Sequence, residues 1–151
     1  MAEGIPSGQT GKSGLPVPYP LAIVICDAIY RCPATGKVSL LGCYSAIVAK
    51  EFPVTHQGMA IHITLTDGHG QIPIKIRLID AAESRDPVFE LDGQIVFSDP
   101  RMVADLDLRA GPIVFVAPGE YRLQLFARGE HVIERRIVVI GAEAENQKEE
   151  P

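Results

Sequence analysis

Within Ala117–Ile140, apolar side chains recur at every second position from Tyr121 to Ala127. Tyr121, Leu123, Leu125 and Ala127 alternate with Arg122, Gln124 and Phe126, between a Pro118-Gly119 corner and an Arg128-Gly129-Glu130 turn. Successive strand residues point to opposite faces, so the pattern predicts a half-buried strand, a short hairpin loop and a return strand. The return strand loses phase near Glu134-Arg135-Arg136, which predicts a bulge there. The same alternation carries Met59, Ile61, Ile63 and Leu65, and after the turn Asp67–Gly70 it carries Ile72, Ile74, Ile76 and Leu78. Two such runs across a glycine-containing turn predict a second hairpin, with Pro73 at an edge or on the outward side because it lacks a ladder donor.

Upstream, Leu21–Tyr30 is almost continuously apolar, which predicts a strand covered on both faces. Val38–Ala49 reads as the next strand, with Gly42 marking a bulge or close backbone approach, and Glu51–Gly58 as a connection. Phe89, Leu91, Gly93, Ile95 and Phe97 share one face of a strand, and Ala104, Leu106 and Leu108 alternate with Asp105, Asp107 and Arg109. The apolar segment Pro112–Val116 then leads into the corner. Eight short strands predict an all-β, two-sheet antiparallel immunoglobulin-like β-sandwich of about seven to eight strands, with a small β-barrel as the alternative. Tyr121 resembles the corner tyrosine of such sandwiches, whose hydroxyl bonds back to upstream backbone; a plain core aromatic is the competing reading.

Composition agrees with strands. Trp is absent, Phe and Tyr number 5 and 4, and the core must rest on Ile, Val and Leu, whose β-branched members suit a pleated surface. Residues 1 to 19 are rich in Gly, Pro and Ser and read as a flexible arm; residues 20 to 141 form the domain; residues 142 to 151 read as an acidic disordered tail. The chain carries a formal charge of -5, of which the tail supplies -3. Interspersed signs over the domain give no cationic footprint for nucleic acid. No signal segment or membrane-length apolar run is apparent, and three cysteines fit a reducing compartment, so the expectation is a cytoplasmic protein without membrane contact.

Motifs for chemistry are thin. Gly8–Ser13 looks like a phosphate loop but has Pro6 where the pattern needs glycine. Cys26 and Cys32 are too far apart along one strand to share an ion, while Cys26 could approach Cys43 across the first hairpin, most simply as two buried thiols. His62, His69 and His131 lack a nucleophile and orienting carboxylate recognisable in sequence. Asp99, Asp105 and Asp107 lie among Arg101 and Arg109, which opposes a calcium loop. The expectation is no catalytic residue, no cofactor and no metal.

The order Cys26-Asp27, Thr35-Gly36-Lys37-Val38-Ser39-Leu40-Leu41-Gly42, Phe52-Pro53 and Pro118-Gly119-Glu120-Tyr121 resembles a family of small bacterial proteins catalogued only as a domain of unknown function. The resemblance runs from about Leu21 to Ile140 and implies a β-sandwich without an assigned activity. Val88, Val96, Phe126 and Ile79 interrupt otherwise polar strand faces and are the candidate interface residues. They point to a non-enzymatic binding or assembly module with a protein partner or a second copy of itself. The rival is a small-molecule or carbohydrate-binding domain using Thr35–Lys37, Asp67–Gly70 and Ala81–Asp86 at one end of the sandwich.

Overall fold

The computed structural model describes residues 16–142. One sheet contains β1 (Tyr19–Arg31), β2 (Val38–Cys43), β5 (Met59–Thr66) and β8 (Ala104–Ala110) in the order β2-β1-β5-β8. The other contains β3 (Ala46–Ala49), β6 (Gly70–Asp80), β7 (Phe89–Phe97), β10 (Gly119–Ala127) and β11 (Glu130–Gly141) in the order β3-β11-β10-β6-β7. A small ribbon pairs β4 (Val54–His56) with β9 (Ile113–Phe115). The architecture is therefore the expected all-β sandwich. The apolar alternation explains it: Ile25, Ile61, Ile63 and Leu65 from one sheet and Ile76, Leu78, Leu123 and Leu125 from the other are all fully buried in one core.

Four expectations change. The runs Met59–Leu65 and Ile72–Leu78 are strands but not a hairpin, because β5 pairs with β1 and β8 whereas β6 pairs with β10 and β7. Their turn carries the chain between sheets, and both apolar rows then face the shared core. Val38–Ala49 likewise divides into β2 and β3, which lie in different sheets. The break follows Gly42, whose φ is 69° and whose absent Cβ leaves room for the Asp27 carboxylate. Having crossed, β3 pairs parallel with β11, so the sandwich is not wholly antiparallel. The connection Glu51–Gly58 also holds a strand of its own, β4.

The corner and last hairpin form as the pattern predicts. Tyr121 Oη donates to Ala117 O at 2.6 Å, while the ring meets Phe115 edge to face at 5.0 Å. Arg128 and Gly129 turn the hairpin with φ of 51° and 80°, the sign that the favoured two-residue turn needs. The register slips opposite Leu125 and Phe126, between His131 and Ile133, slightly ahead of the expected place. Arg135 falls opposite buried Leu123, and its guanidinium donates to Ile23 O at 3.1 Å and Ser45 Oγ at 2.6 Å. That polar link between the sheets is why the apolar phase lapses there.

Val17 is 1% exposed and belongs to the core, so the packed structure begins ahead of residue 20. The phosphate-loop-like segment Gly8–Ser13 and the tail from Glu143 onward lie outside the described residues. No helix among the described residues is long and apolar enough to cross a membrane.

Candidate functional site

The outer face of the five-stranded sheet is built by the residues out of phase with the core. From β6 these are Lys75 and Arg77, from β10 Gln124 and Phe126, and from β11 His131 and Glu134. Register aligns Phe126 with Lys75 on one side and His131 on the other, and Gln124 with Arg77 and Glu134. Phe126 is thus surrounded by polar neighbours at the centre of the sheet. The Arg77 guanidinium lies 5.1 Å from its ring centroid, and the His131 ring meets it edge-on at 5.5 Å. A guanidinium over an aromatic face is attracted by the ring quadrupole.

A chain of hydrogen bonds holds this arrangement. Arg77 Nε donates to Gln124 Oε1 at 2.9 Å, and Gln124 Nε2 donates to Glu134 Oε1 at 3.0 Å. Glu134 also receives Arg122 at 3.2 Å and lies 3.2 Å from His131 Nε2. The Gln124 bond, with His131 and Arg122, outweighs partial burial and holds the Glu134 carboxyl below its ordinary range. Gln124 is buried, so the central amide has little freedom to choose other partners.

Beside the ring lies a cavity of about 400 Å³ lined by Pro73, Lys75, Arg77, Asp92, Phe126 and Arg128. Lys75 is near Glu90 and Asp92, at 3.8 and 3.5 Å. By contrast, among the described residues neither Arg77 nor Arg128 pairs with a carboxylate. Arg77 bonds the Gln124 amide, and Arg128 donates to Pro16 O and His69 O, each at 3.2 Å. Two guanidinium charges therefore flank an aromatic floor with only neutral partners.

Of the four candidate interface residues, Phe126 stands at this centre, half-buried. Val96 is 60% exposed on the same face, but it pairs with Gln71, four residues along β6 from Lys75. Ile79 lies four residues the other way and is buried at 5% exposure. Val88 is half-buried against the core. Charged Lys75, Arg77, Glu90 and Asp92 separate them, so they share a region and do not merge into one apolar patch. Arg77, Arg128, Gln124, Glu134 and His131 were not expected at the site. Phe126 on a polar phase was the available signal; which polar residues surround it depends on register.

The loop set offered for a small ligand is not gathered at one end. β6, eleven residues long, runs between Asp67–Gly70 and Ala81–Asp86, a separation of about 36 Å at 3.3 Å per residue. Tyr19 pairs with Thr66 while Cys26 pairs with Ala60, so the β1–β2 turn lies opposite the β5–β6 turn.

Several other polar side chains pair with one another. His62 is buried at 5% exposure with Nδ1 2.6 Å from Asp107 Oδ1, and Arg31 reaches Asp107 and Asp105 at 2.9 and 3.3 Å. Burial would raise the Asp107 carboxyl, but bonds from His62 and Arg31 bring it below its ordinary value. Asp99 is bound by Arg101. Tyr44 Oη lies 2.8 Å from His56 Nε2; burial, then Asp27, pushes Tyr44 up to about 12, and burial lowers His56. Among the described residues no three His, Cys, Asp or Glu side chains gather as metal ligands.

The model of a family described as "Family of unknown function (DUF6941)" matches residues 21–140. No curated protein matches the sequence. Among solved structures, the chain is similar to a β-glucosidase from Listeria innocua in complex with isofagomine, at 12% identity and a TM-score of 0.43. That alignment covers 85% of this chain and 17% of the glucosidase, so the chain spans about a sixth of that protein.

Proposed function

The chain belongs to the DUF6941 family, a family of unknown function, and we propose from the site that it is a non-enzymatic binding module for protein segments. The docking surface is the outer face of the five-stranded sheet around Phe126. The observation that carries this reading is the pair of guanidinium groups, Arg77 and Arg128, that among the described residues have only neutral partners, beside an aromatic-floored cavity. An apolar side chain would cover Phe126 and Pro73, and a neighbouring carboxylate would meet the guanidinium groups. Charge-assisted bonds of this kind are stronger than neutral ones, and an aromatic with Arg at a patch centre is the usual composition of an energetic hot spot. The partner is therefore a protein segment presenting an acidic residue beside an apolar one. The net charge of -5 disfavours long-range attraction of acidic partners, which leaves selection to this local pair.

The test is affinity capture of the tagged full-length protein from its native extract, run in parallel with Phe126→Glu and Arg77→Ala. A near-stoichiometric protein retained by wild type, lost with Phe126→Glu and weakened by Arg77→Ala and by rising salt supports the reading, provided circular dichroism shows the variants folded. Equal retention by wild type and Phe126→Glu, or no retained protein together with a monomeric wild type, overturns it. Retention of the chain's own untagged copy identifies the partner as a second copy, and the same variants must then abolish that association.

A further inference from the structure

We propose that Cys26 and Cys43 form an oxidative modification site, closing to a reversible disulfide when a hydroperoxide oxidises the exposed thiol. The two residues face each other directly across β1 and β2. Beside them Tyr44 N–H donates to Ile25 O at 3.1 Å, which makes Cys26 and Cys43 a non-hydrogen-bonded pair, with side chains on one face and Cα atoms about 4.5 Å apart. A disulfide spans Cα separations of roughly 4.4 to 6.8 Å, so the register already supplies the needed approach. Cys32 is different: it follows β1, six residues beyond Cys26, or about 20 Å along an extended strand.

The two thiols divide the work. Cys43 is exposed and meets the oxidant, whereas Cys26 is buried at 0% exposure with Sγ 3.4 Å from Ala28 O. Burial, then Cys43 itself, raises the Cys26 thiol, so it is the poorer first nucleophile and the better-sheltered resolving group. In the first step Cys43 Sγ, as thiolate, attacks the hydroperoxide; the O–O bond breaks, an S–O bond forms, and the other oxygen leaves as alkoxide or hydroxide and takes a proton. In the second, Cys26 Sγ loses its proton and attacks the sulfenic sulfur; S–S forms, S–O breaks and water leaves. Two thiols give up two electrons and two protons, and the peroxide accepts both. Closure ties the exposed edge strand β2 to β1 beside Gly42 and Leu41.

The chain separates its three cysteines on three tryptic peptides, residues 13–31, 32–37 and 38–50, so pairing can be read directly. Full-length protein is exposed to hydrogen peroxide, denatured in iodoacetamide, digested and analysed by mass. The expected product is a 13–31/38–50 peptide two hydrogens lighter than the sum of its parts, released by dithiothreitol, with alkylatable thiols falling from three to one. In Cys43→Ser, Cys26 remains alkylatable after the same exposure. A Cys43 sulfinic acid with Cys26 still alkylated, a link through 32–37, or oxidation of Cys26 in Cys43→Ser would each overturn the proposal.

Discussion

Single residues set the corners of this sandwich. Tyr121 is the clearest, because its hydroxyl joins Ala117 O while its ring packs on Phe115. Tyr121→Phe keeps the ring contact and leaves that carbonyl without its donor; the expected loss is about 1 kcal/mol, up to about 3 if no water replaces the hydroxyl, read from the urea midpoint. Gly42→Ala forces a side chain into positive φ and onto the Asp27 carboxylate, with an expected cost of about 1–3 kcal/mol by the same measurement. The Tyr44–His56 pair contributes to the pH response at both ends. With Tyr44 pushed up to about 12, its contribution to stability is complete below the unfolded value near 10 and is lost as pH rises through about 12. An absorbance titration at 295 nm should show a late-ionising tyrosine that disappears in Tyr44→Phe. His56 is depressed, so its contribution is complete above about pH 6.5 and declines as pH falls through its folded value. A urea midpoint that falls less on acidification in His56→Asn than in wild type would confirm the sign.

Elements show what the sequence reveals and what it does not. Alternation at Tyr121–Ala127 and Ile72–Leu78 locates strands and their buried faces because period two is a local property. Pairing is not local. β5 and β6 carry the pattern of a hairpin, yet each faces the core from a different sheet, and only the pairing partners β1, β8, β10 and β7 reveal it. The parallel β3–β11 pair was equally hidden, since β3 has four residues and continues the apolar run of β2. Arg135 shows the converse, a lapse in periodicity that marks a link between sheets. Arg135→Met removes the bonds to Ile23 O and Ser45 Oγ; a loss of about 1–3 kcal/mol is expected from the two orphaned acceptors, with faster hydrogen exchange in β3 as the accompanying sign of a loosened edge.

At the scale of the whole molecule, the two sheets divide the chemistry. The four-stranded sheet sets both His62 and Arg31 against Asp107 and aligns Cys26 with Cys43. On the five-stranded sheet, Arg77 and Arg128 stand beside Phe126 with, among the described residues, only neutral hydrogen-bond partners. Sequence reading singled out Phe126 but not these companions, because their assembly depends on the register of β6, β10 and β11. The docking account is tested most directly by titrating the captured partner into uniformly labelled full-length protein and following the amide spectrum. The account predicts shifts at Lys75, Arg77, Gln124, Phe126 and His131, absent in Phe126→Glu, with the four-stranded sheet unperturbed. Shifts confined to β1, β2, β5 and β8, with the Phe126 face unchanged, would contradict it.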